Sequence, residues 1–594
     1  MNSKLKSFLT KKQYYYFLFL LILYFFSSFL EIFSISLIPV FISLIVERET
    51  FYQLIINLNL VQLELLLKLS TKQLLVLSGI VIVSIFIIKN LYMVFVYYLQ
   101  NLFNYRIIVD KSKIIFSNYI YSDYSFFLNK NSSKLVKNLT QEVHVSVGYL
   151  NMILDLIKET LLFLLIFLTL FLTTPKKLFF ISSVLLISVI IFYLLLKKSV
   201  KKKGEIHFKN RDRLFFILDQ SFGFIKEIKV INNLTPFINK FEHYLNKTNF
   251  QVIIIEVLNK LPRLIFEFLA VSICLSIILL SYDLLGSKII PLVSLYAVCL
   301  IRLIPSYSAI SSIMINLQFY KPSFEMICGE LKKKKIKKSN LNKKNKVGYK
   351  RNGIISFQNI SFGYSSKKKV IKNLSLNFKA NEAVGIIGPS GSGKTTLGDI
   401  FLGLYKPSKG KITFDKLNIH EPENNWNNLI SYLPQEPFIL DDNIINNITM
   451  GDLNNFNKEN LDKALELSNC NEFVNKLQNR YNTNVGQRGI KLSGGQKKRI
   501  GIARAIYQNR PIILLDEATS NLDPENDKIV MNSINKLKKQ KTILLITHKI
   551  SNLKYMDKVI YINNGIIEKS GKPDLITKYI LRKKILEFKN LSLD

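Results

Sequence analysis

The sequence predicts an α-helical polytopic membrane domain of six spans fused to an α/β domain, and three observations carry that fold class. Apolar runs crowd the first 320 residues of the 594-residue chain. A basic run, LKKKKIKKSNLNKKNKVGYKR at 331–351, then interrupts them. Beyond it, short β-rich runs alternate with amphipathic stretches, the pattern of strands followed by helices.

Crossing the hydrocarbon core of a bilayer takes about 20 predominantly apolar residues. Six segments meet that need, at 14–46, 74–98, 147–173, 178–197, 254–282 and 289–318. The first opens with Tyr14, Tyr15 and Tyr16, rings suited to the headgroup boundary. It is too long for a secretory signal, and no small-residue cleavage site follows it. Residues 51–70 are amphipathic and are expected to lie along the outer face.

Orientation follows the bias of Lys and Arg between the spans. Lys4, Lys6, Lys11 and Lys12 precede the first span. Arg106, Lys111, Lys113, Lys130, Lys134 and Lys137 fall between the second and third, and Lys197 to Arg213 supply a third basic cluster. Both termini are therefore expected in the cytoplasm of a multi-pass protein of the cell membrane. The expected domains are 1–330 in the membrane, 331–351 as a solvated basic linker and 352–594 as the α/β unit.

Composition narrows the function classes. With 49% hydrophobic residues so unevenly spread, the chain is neither disordered nor an ordinary one-compartment soluble enzyme. The net charge of +39 comes from 81 Lys and Arg against 42 Asp and Glu. These clusters sit beside apolar runs, where anionic headgroups would lie, and no basic helix or RNP-type aromatic motif points to nucleic acid. Cys274, Cys299, Cys328 and Cys470 are scattered without a CxxC pair and read as reduced packing residues.

The chemistry concentrates in the second domain. Gly388, Pro389, Ser390, Gly391, Ser392, Gly393, Lys394 and Thr395 match GxxxxGK[ST], between the apolar run Ala383–Ile387 and a helical run from Thr396. Glycines there let backbone N–H groups point at phosphate oxygens; Lys394 reaches the β- and γ-phosphates and the Thr395 hydroxyl ligates Mg²⁺. Downstream, the apolar run 512–515 ends in Asp516 and Glu517. Asp516 fits a Mg²⁺ partner, and Glu517 is placed to polarise an attacking water. Leu492, Ser493, Gly494, Gly495 and Gln496 open a further helix and make a second phosphate-binding N-terminus.

These residues resemble the ATP-binding cassette (ABC) ATPases, whose signature is LSGGQ. The resemblance covers essentially the whole chain, with motifs in family order: Tyr364, the P-loop, Gln435, the signature, Asp516 and Glu517, the loop Ser520-Asn521-Leu522-Asp523, and His548. It implies that ATP and Mg²⁺ bind at Gly388 to Thr396, with Tyr364 stacked on adenine. It further implies that Gln435 senses Mg²⁺ and the γ-phosphate and that His548 contacts the γ-phosphate. Ser493 to Gln496 would close on ATP held by another copy, so a homodimer is the simplest assembly, a heterodimer with a related half-transporter remaining open. One departure is Gln487, in Val485-Gly486-Gln487-Arg488-Gly489, where many exporters carry Glu.

Six spans before one cassette resemble the exporter-type (type IV) ABC half-transporters, which implies coupling helices near 121–129 and 221–230. The membrane half looks most like lipid-linked oligosaccharide flippases, in the stretches 26–45, 261–271 and 300–306. Lys89, Arg263 and Arg302 fall within or at the ends of apolar spans, where a cation costs roughly 2.5–3.5 kcal/mol on insertion scales and needs a partner or a cavity. They are the candidate contacts to a polyprenyl-pyrophosphate headgroup, the competing reading being pairing with Glu31, Asp155, Glu159 or Glu267. The expected activity is ATP-driven flipping of a polyprenyl-pyrophosphate-linked oligosaccharide; export of lipid A, a hydrophobic drug or a peptide is the alternative. A nonhydrolytic gate or regulator is disfavoured by the intact Glu517 and His548.

Overall fold

Unbroken runs of Leu, Ile and Phe must satisfy their backbone groups internally in an apolar setting, and a helix does so within one segment. The computed structural model describes residues 2–46, 70–173, 176–285, 289–332, 353–365, 368–421, 424–451, 456–520 and 522–591. It divides into two units, Met1–Ser122 with Phe126–Ile336, and Asp123–Ser125 with Lys337–Asp594.

The first unit is built on six long helices among the described residues: α1 (Lys11–Val46), α2 (Thr71–Ile120), α3 (Val143–Thr173), α4 (Lys176–Gly223), α5 (Thr235–Leu285) and α6 (Ile289–Lys332). Three stretches, Lys11–Ile38, Lys72–Ile120 and Leu300–Lys332, are long and apolar enough to cross a membrane among the described residues. On α2, Ile80, Val83, Ile87, Leu91 and Val94 are exposed at helical spacing, an apolar stripe suited to lipid. Leu20, Tyr24, Val96, Ile107, Leu150, Leu154 and Ile327 pack α1, α2, α3 and α6 together. Phe266 and Tyr307 join α5 to α6 beside Leu162 and Leu303.

The helices outrun the apolar segments. Where the sequence suggested loops at 99–120, 198–223 and 235–253, α2, α4 and α5 continue without a break. Hydropathy marks only the stretch that avoids water, whereas the polar continuations stay helical through packing. Part of that packing is ionic: Lys137 and Glu142 are fully buried 3.2 Å apart, and Arg211 lies 3.3 Å from Glu142. Short helices at Tyr124–Leu128 and Ile225–Ile231 follow α2 and α4. The amphipathic segment up to residue 69 and the linker from 333 to 351 lie outside the described residues.

The second unit holds two sheets. An antiparallel sheet has the order β2-β1-β4-β5, from β1 (Ile354–Phe362), β2 (Ile371–Lys379), β4 (Lys409–Phe414) and β5 (Leu417–Asn418). The other has the order β10-β9-β3-β8-β7-β6, from β3 (Ala383–Ile387), β6 (Ile430–Leu433), β7 (Ile512–Asp516), β8 (Thr542–Ile546), β9 (Lys558–Asn563) and β10 (Ile566–Gly571). It is parallel except for the edge strand β10.

Every residue of β3, β7 and β8 is buried, as expected of a parallel sheet covered on both faces. Alternate residues feed two cores. Ile387, Ile513, Leu515, Ile543 and Leu545 face one, and Val384, Ile386, Leu514, Leu544 and Ile546 face the other. The register pairs Ile386 with Ile546 and Ile546 with Asp516. The carboxyl ends of β3, β7 and β8 therefore share one edge, where open α/β sheets place their ligands. Cys328 and Cys470 are buried, and burial pushes the Cys470 thiol up to about 12, as suits packing rather than redox chemistry.

Candidate functional site

The loop after β3 is shaped by glycines that other residues could not replace. Gly391 and Gly393 adopt φ of +76° and +98°, and Gly393 caps helix α7 (Lys394–Phe401). A Cβ on Gly388 would stand 2.0 Å from the Ile562 carbonyl oxygen of β9. Pro389 and Ser390 follow as exposed residues of the loop. Lys394 is 7% exposed and donates to the carbonyls of Gly388 at 3.0 Å and Pro389 at 2.8 Å. Burial lowers its pKa against the opposing pull of Glu517 and Asp516.

Thr395 is exposed at the start of α7, and Thr396 is buried. Thr396 shares a 3.0 Å hydrogen bond with the Tyr364 hydroxyl. The Tyr364 ring is 57% exposed and meets Phe362 and Tyr405 edge-on at 5.3 and 5.6 Å. The hydroxyl thus fixes an accessible ring beside the P-loop helix.

At the tip of β7, Asp516 is 5% exposed. Burial and the neighbouring Glu517 push its pKa up to about 6, against Lys394 and Lys498. Its Oδ1 and the Ser392 Oγ are buried without a hydrogen-bond partner among the described residues. Two orphaned oxygens at this edge fit a hard cation and its phosphate ligand, so the donor set of Thr395, Gln435 and Asp516 suits Mg²⁺. Asp399 on α7 is likewise pushed up to about 6 by burial and by Asp516, a second acid the sequence reading passed over.

Glu517 follows in the left-handed region, with φ of +48°. Its N–H donates to the Ile546 carbonyl at 2.9 Å, which aims the side chain off the strand end. The carboxylate accepts from Gln435 Nε2 at 2.7 Å, and His548 Nδ1 lies 3.5 Å away. Gln435, Glu517 and His548, more than a hundred residues apart at their extremes, are thereby brought into one contact set.

The signature forms the start of helix α8 (Gly494–Tyr507). Ser493 Oγ accepts from the Gln496 N–H at 3.2 Å, and Gln496 Oε1 accepts from the Ser493 N–H at 2.9 Å, a reciprocal capping box. Gly495 approaches Asn526, whereas nothing lies within 4 Å of a Cβ on Gly494. Gln487 lies in a short turn whose Arg488 carbonyl accepts from Lys497 at 2.9 Å. Lys498 joins this helix to Glu517, donating to the Glu517 carbonyl at 2.8 Å and to Ser520 Oγ at 3.1 Å. Sequence reasoning missed it because Lys497 and Arg499 flank it, and charge alone does not say that Lys498 and Arg499 are buried or that Lys498 is the one that meets the chain after β7.

The three intramembrane cations each have a contact of their own among the described residues. Arg302 Nε lies 2.7 Å from Glu31 Oε1, joining α6 to α1. Arg263 donates to Glu267 at 2.7 Å on the same helix, and both line a groove of about 540 Å³ with Ile304, Pro305 and Ser308. Lys89 stands 4.8 Å over the Phe86 ring. A further buried cation, Lys158, pairs with Glu159 at 3.2 Å, and Glu159 accepts from Ser306 at 2.8 Å. Breaking a buried pair strands the other charge at a cost of about 3–5 kcal/mol. Arg302→Met is therefore expected to lower the melting temperature of the purified protein, and adding Glu31→Gln to recover part of the loss. Equal melting temperatures for wild type and the single variant would contradict the pair's weight.

Residues 371–520 match the family model described as ABC transporter. Over 222 residues the chain is 38% identical to ABC transporter B family member 1 of Dictyostelium discoideum, covering 37% of this chain and 24% of that protein. Over 229 residues it is 34% identical to the ATP-dependent lipid A-core flippase of Vibrio parahaemolyticus serotype O3:K6 (strain RIMD 2210633), covering 38% of this chain and 39% of that one. The matched segments thus span well under half the length of these relatives. Among solved structures, a bacterial Atm1-family ABC exporter with ATP bound superimposes with a TM-score of 0.77 over 98% of both chains, at 17% identity. At that identity the likeness speaks for the fold.

Proposed function

We propose that this chain, an ABC transporter domain joined to a membrane domain of exporter fold, hydrolyses ATP to drive a substrate across the membrane as one half of a dimer. The observation that carries the reading is the meeting of Gln435, Glu517 and His548 at the strand edge that also bears the P-loop. Glu517 is the acceptor for a proton of the attacking water. Gln435 and His548 hold its carboxylate from two sides, and Lys394 with the loop N–H groups receives the phosphates. Thr395, Gln435 and Asp516 would hold Mg²⁺, which neutralises charge developing on the phosphates. Tyr364 supplies a ring for adenine, and Ser493 to Gln496 face the nucleotide of a second, identical copy. Both termini are cytoplasmic in this reading, and the short helices Tyr124–Leu128 and Ile225–Ile231 are the coupling elements.

The finer proposal is a polyprenyl-pyrophosphate-linked oligosaccharide as substrate. Its support is the groove that bears Arg263 and, separately, Lys89 over the Phe86 ring, donors that a pyrophosphate could recruit from weaker partners. A lipid A substrate is the second reading, favoured by the name of the Vibrio relative.

The test is ATPase activity in proteoliposomes with and without each lipid. Stimulation by the polyprenyl-pyrophosphate glycan is expected in the wild type, with the ratio of stimulated to basal rate falling to one in Lys89→Gln/Arg263→Gln. Stimulation by lipid A alone would replace the first substrate with the second, and an unaltered ratio in the double variant would remove these two residues from the site.

A further inference from the structure

Lys498 is 6% exposed, yet among the described residues its ammonium pairs with no carboxylate. A buried ammonium is costly unless its donors are used, so the acceptors it has chosen are informative. Both lie on the segment after β7: the Glu517 carbonyl and Ser520 Oγ. Ser520 closes the arrangement, donating to the same carbonyl from Oγ at 2.9 Å and from its N–H at 3.0 Å. Three donors thus converge on one backbone oxygen.

That oxygen belongs to a residue whose backbone is unfavourable. A left-handed conformation in a non-glycine residue is costly and persists only when its surroundings over-determine it. At Glu517 the N–H is fixed by Ile546 and the carbonyl by Lys498 and Ser520. With both peptide groups held, the carboxylate is delivered to Gln435 and His548. Lys498 also rides on α8, so any shift of the capped end of that helix bears on the Glu517 carbonyl.

We propose that Lys498 is a positioning residue for ATP hydrolysis, holding the Glu517 main chain in its strained conformation and tying the placement of the carboxylate to the signature helix. The inference rests on the ATPase reading above. It assigns Lys498 no contact with nucleotide, so its effect belongs in turnover and not in binding.

The experiment compares wild type, Lys498→Met and Lys498→Arg in full-length protein in proteoliposomes, measuring kcat, KM for ATP, equilibrium binding of a fluorescent ATP analogue and melting temperature. Lys498→Met is expected to lower kcat by roughly tenfold to a hundredfold, the scale of a misplacement of about 1 Å, with KM and analogue binding nearly unchanged. Lys498→Arg, which keeps donors in reach, is expected to recover most of kcat. Should Lys498→Met fold poorly, Lys498→Gln, which keeps a donor, is measured for the same split between kcat and KM. Unchanged kcat in Lys498→Met overturns the proposal, as does a parallel loss of kcat, binding and melting temperature that Arg does not rescue. A wild type without turnover, equal to Glu517→Gln, overturns the ATPase reading and this inference together; turnover in the wild type with an unimpaired Lys498→Met overturns this inference alone.

Discussion

Glu517→Gln is expected to reduce ATP turnover by about 10²–10⁴-fold, the contribution of a positioned general base, while the protein still binds nucleotide. The amide keeps the size of the side chain and can still pair with Gln435, so the loop geometry survives. What it loses is the ability to take a proton. The P-loop, Lys394 and Tyr364 are untouched by the change, which is why binding should persist. Steady-state hydrolysis and binding of a fluorescent ATP analogue separate the two effects. Residual turnover near the wild-type rate would remove Glu517 from the chemistry and shift attention to His548, its neighbour at 3.5 Å.

Gly388→Ala is expected to cost both nucleotide binding and stability, for a reason unrelated to loop flexibility. The added methyl would sit 2.0 Å from the Ile562 carbonyl oxygen and 2.9 Å from Ser392 Oγ. A backbone oxygen in a paired strand cannot move aside as a flexible side chain can, so β3 or β9 must shift. Overpacking of this kind costs about 1–3 kcal/mol and sometimes more. Displacement of the loop itself should weaken nucleotide binding by at least about tenfold, a loss of about 1.4 kcal/mol. Gly494→Ala is the control for folding, because nothing lies within 4 Å of a Cβ there. Melting curves of the two variants should therefore differ clearly. Equal melting temperatures would show that the β3–β9 contact yields more easily than its geometry implies.

The fold was legible in the sequence where local pattern and tertiary role coincide. The runs at Ala383–Ile387 and Thr542–Ile546 are apolar throughout because both faces of the parallel sheet are covered, and the sequence signals that directly. The two-sheet division was not legible, because β1, β2 and β4 mix buried and exposed residues like any half-exposed strands and their pairing is non-local. In the membrane unit, apolar length located the helices but not their ends. The stretch from 99 to 120 carries Arg106, Asp110, Lys111 and Lys113 and reads as a loop by charge, yet it is helix, with Ile107 and Ile115 buried. Buried ion pairs such as Lys137 with Glu142 hide within a sequence that looks like a solvated surface.

At the site, motif and spacing named Gln435, Glu517 and His548 as separate residues, but their mutual geometry depends on strand order. Lys498 is the clearer case of what pattern cannot supply. Its neighbours carry the same charge, and only the phase of α8 against the chain after β7 turns it inward. The cations of the membrane unit show the opposite limit. Charge inside an apolar run marked Arg263 and Arg302 as notable, while the choice between ligand and internal partner lay in their contacts, to Glu267 one turn along the same helix and to Glu31 on another.

The most direct test of the transport reading is ATP-dependent movement of a polyprenyl-pyrophosphate-linked oligosaccharide across proteoliposome membranes, followed by the access of an external glycan-cleaving enzyme to the sugar. The account predicts that accessibility changes with time in the presence of ATP and Mg²⁺, and that Glu517→Gln abolishes the change. Lipid A in place of the glycan lipid assigns the substrate between the two readings. ATP hydrolysis by the wild type with no transbilayer movement of either amphiphile, or movement that proceeds equally in Glu517→Gln, would contradict it.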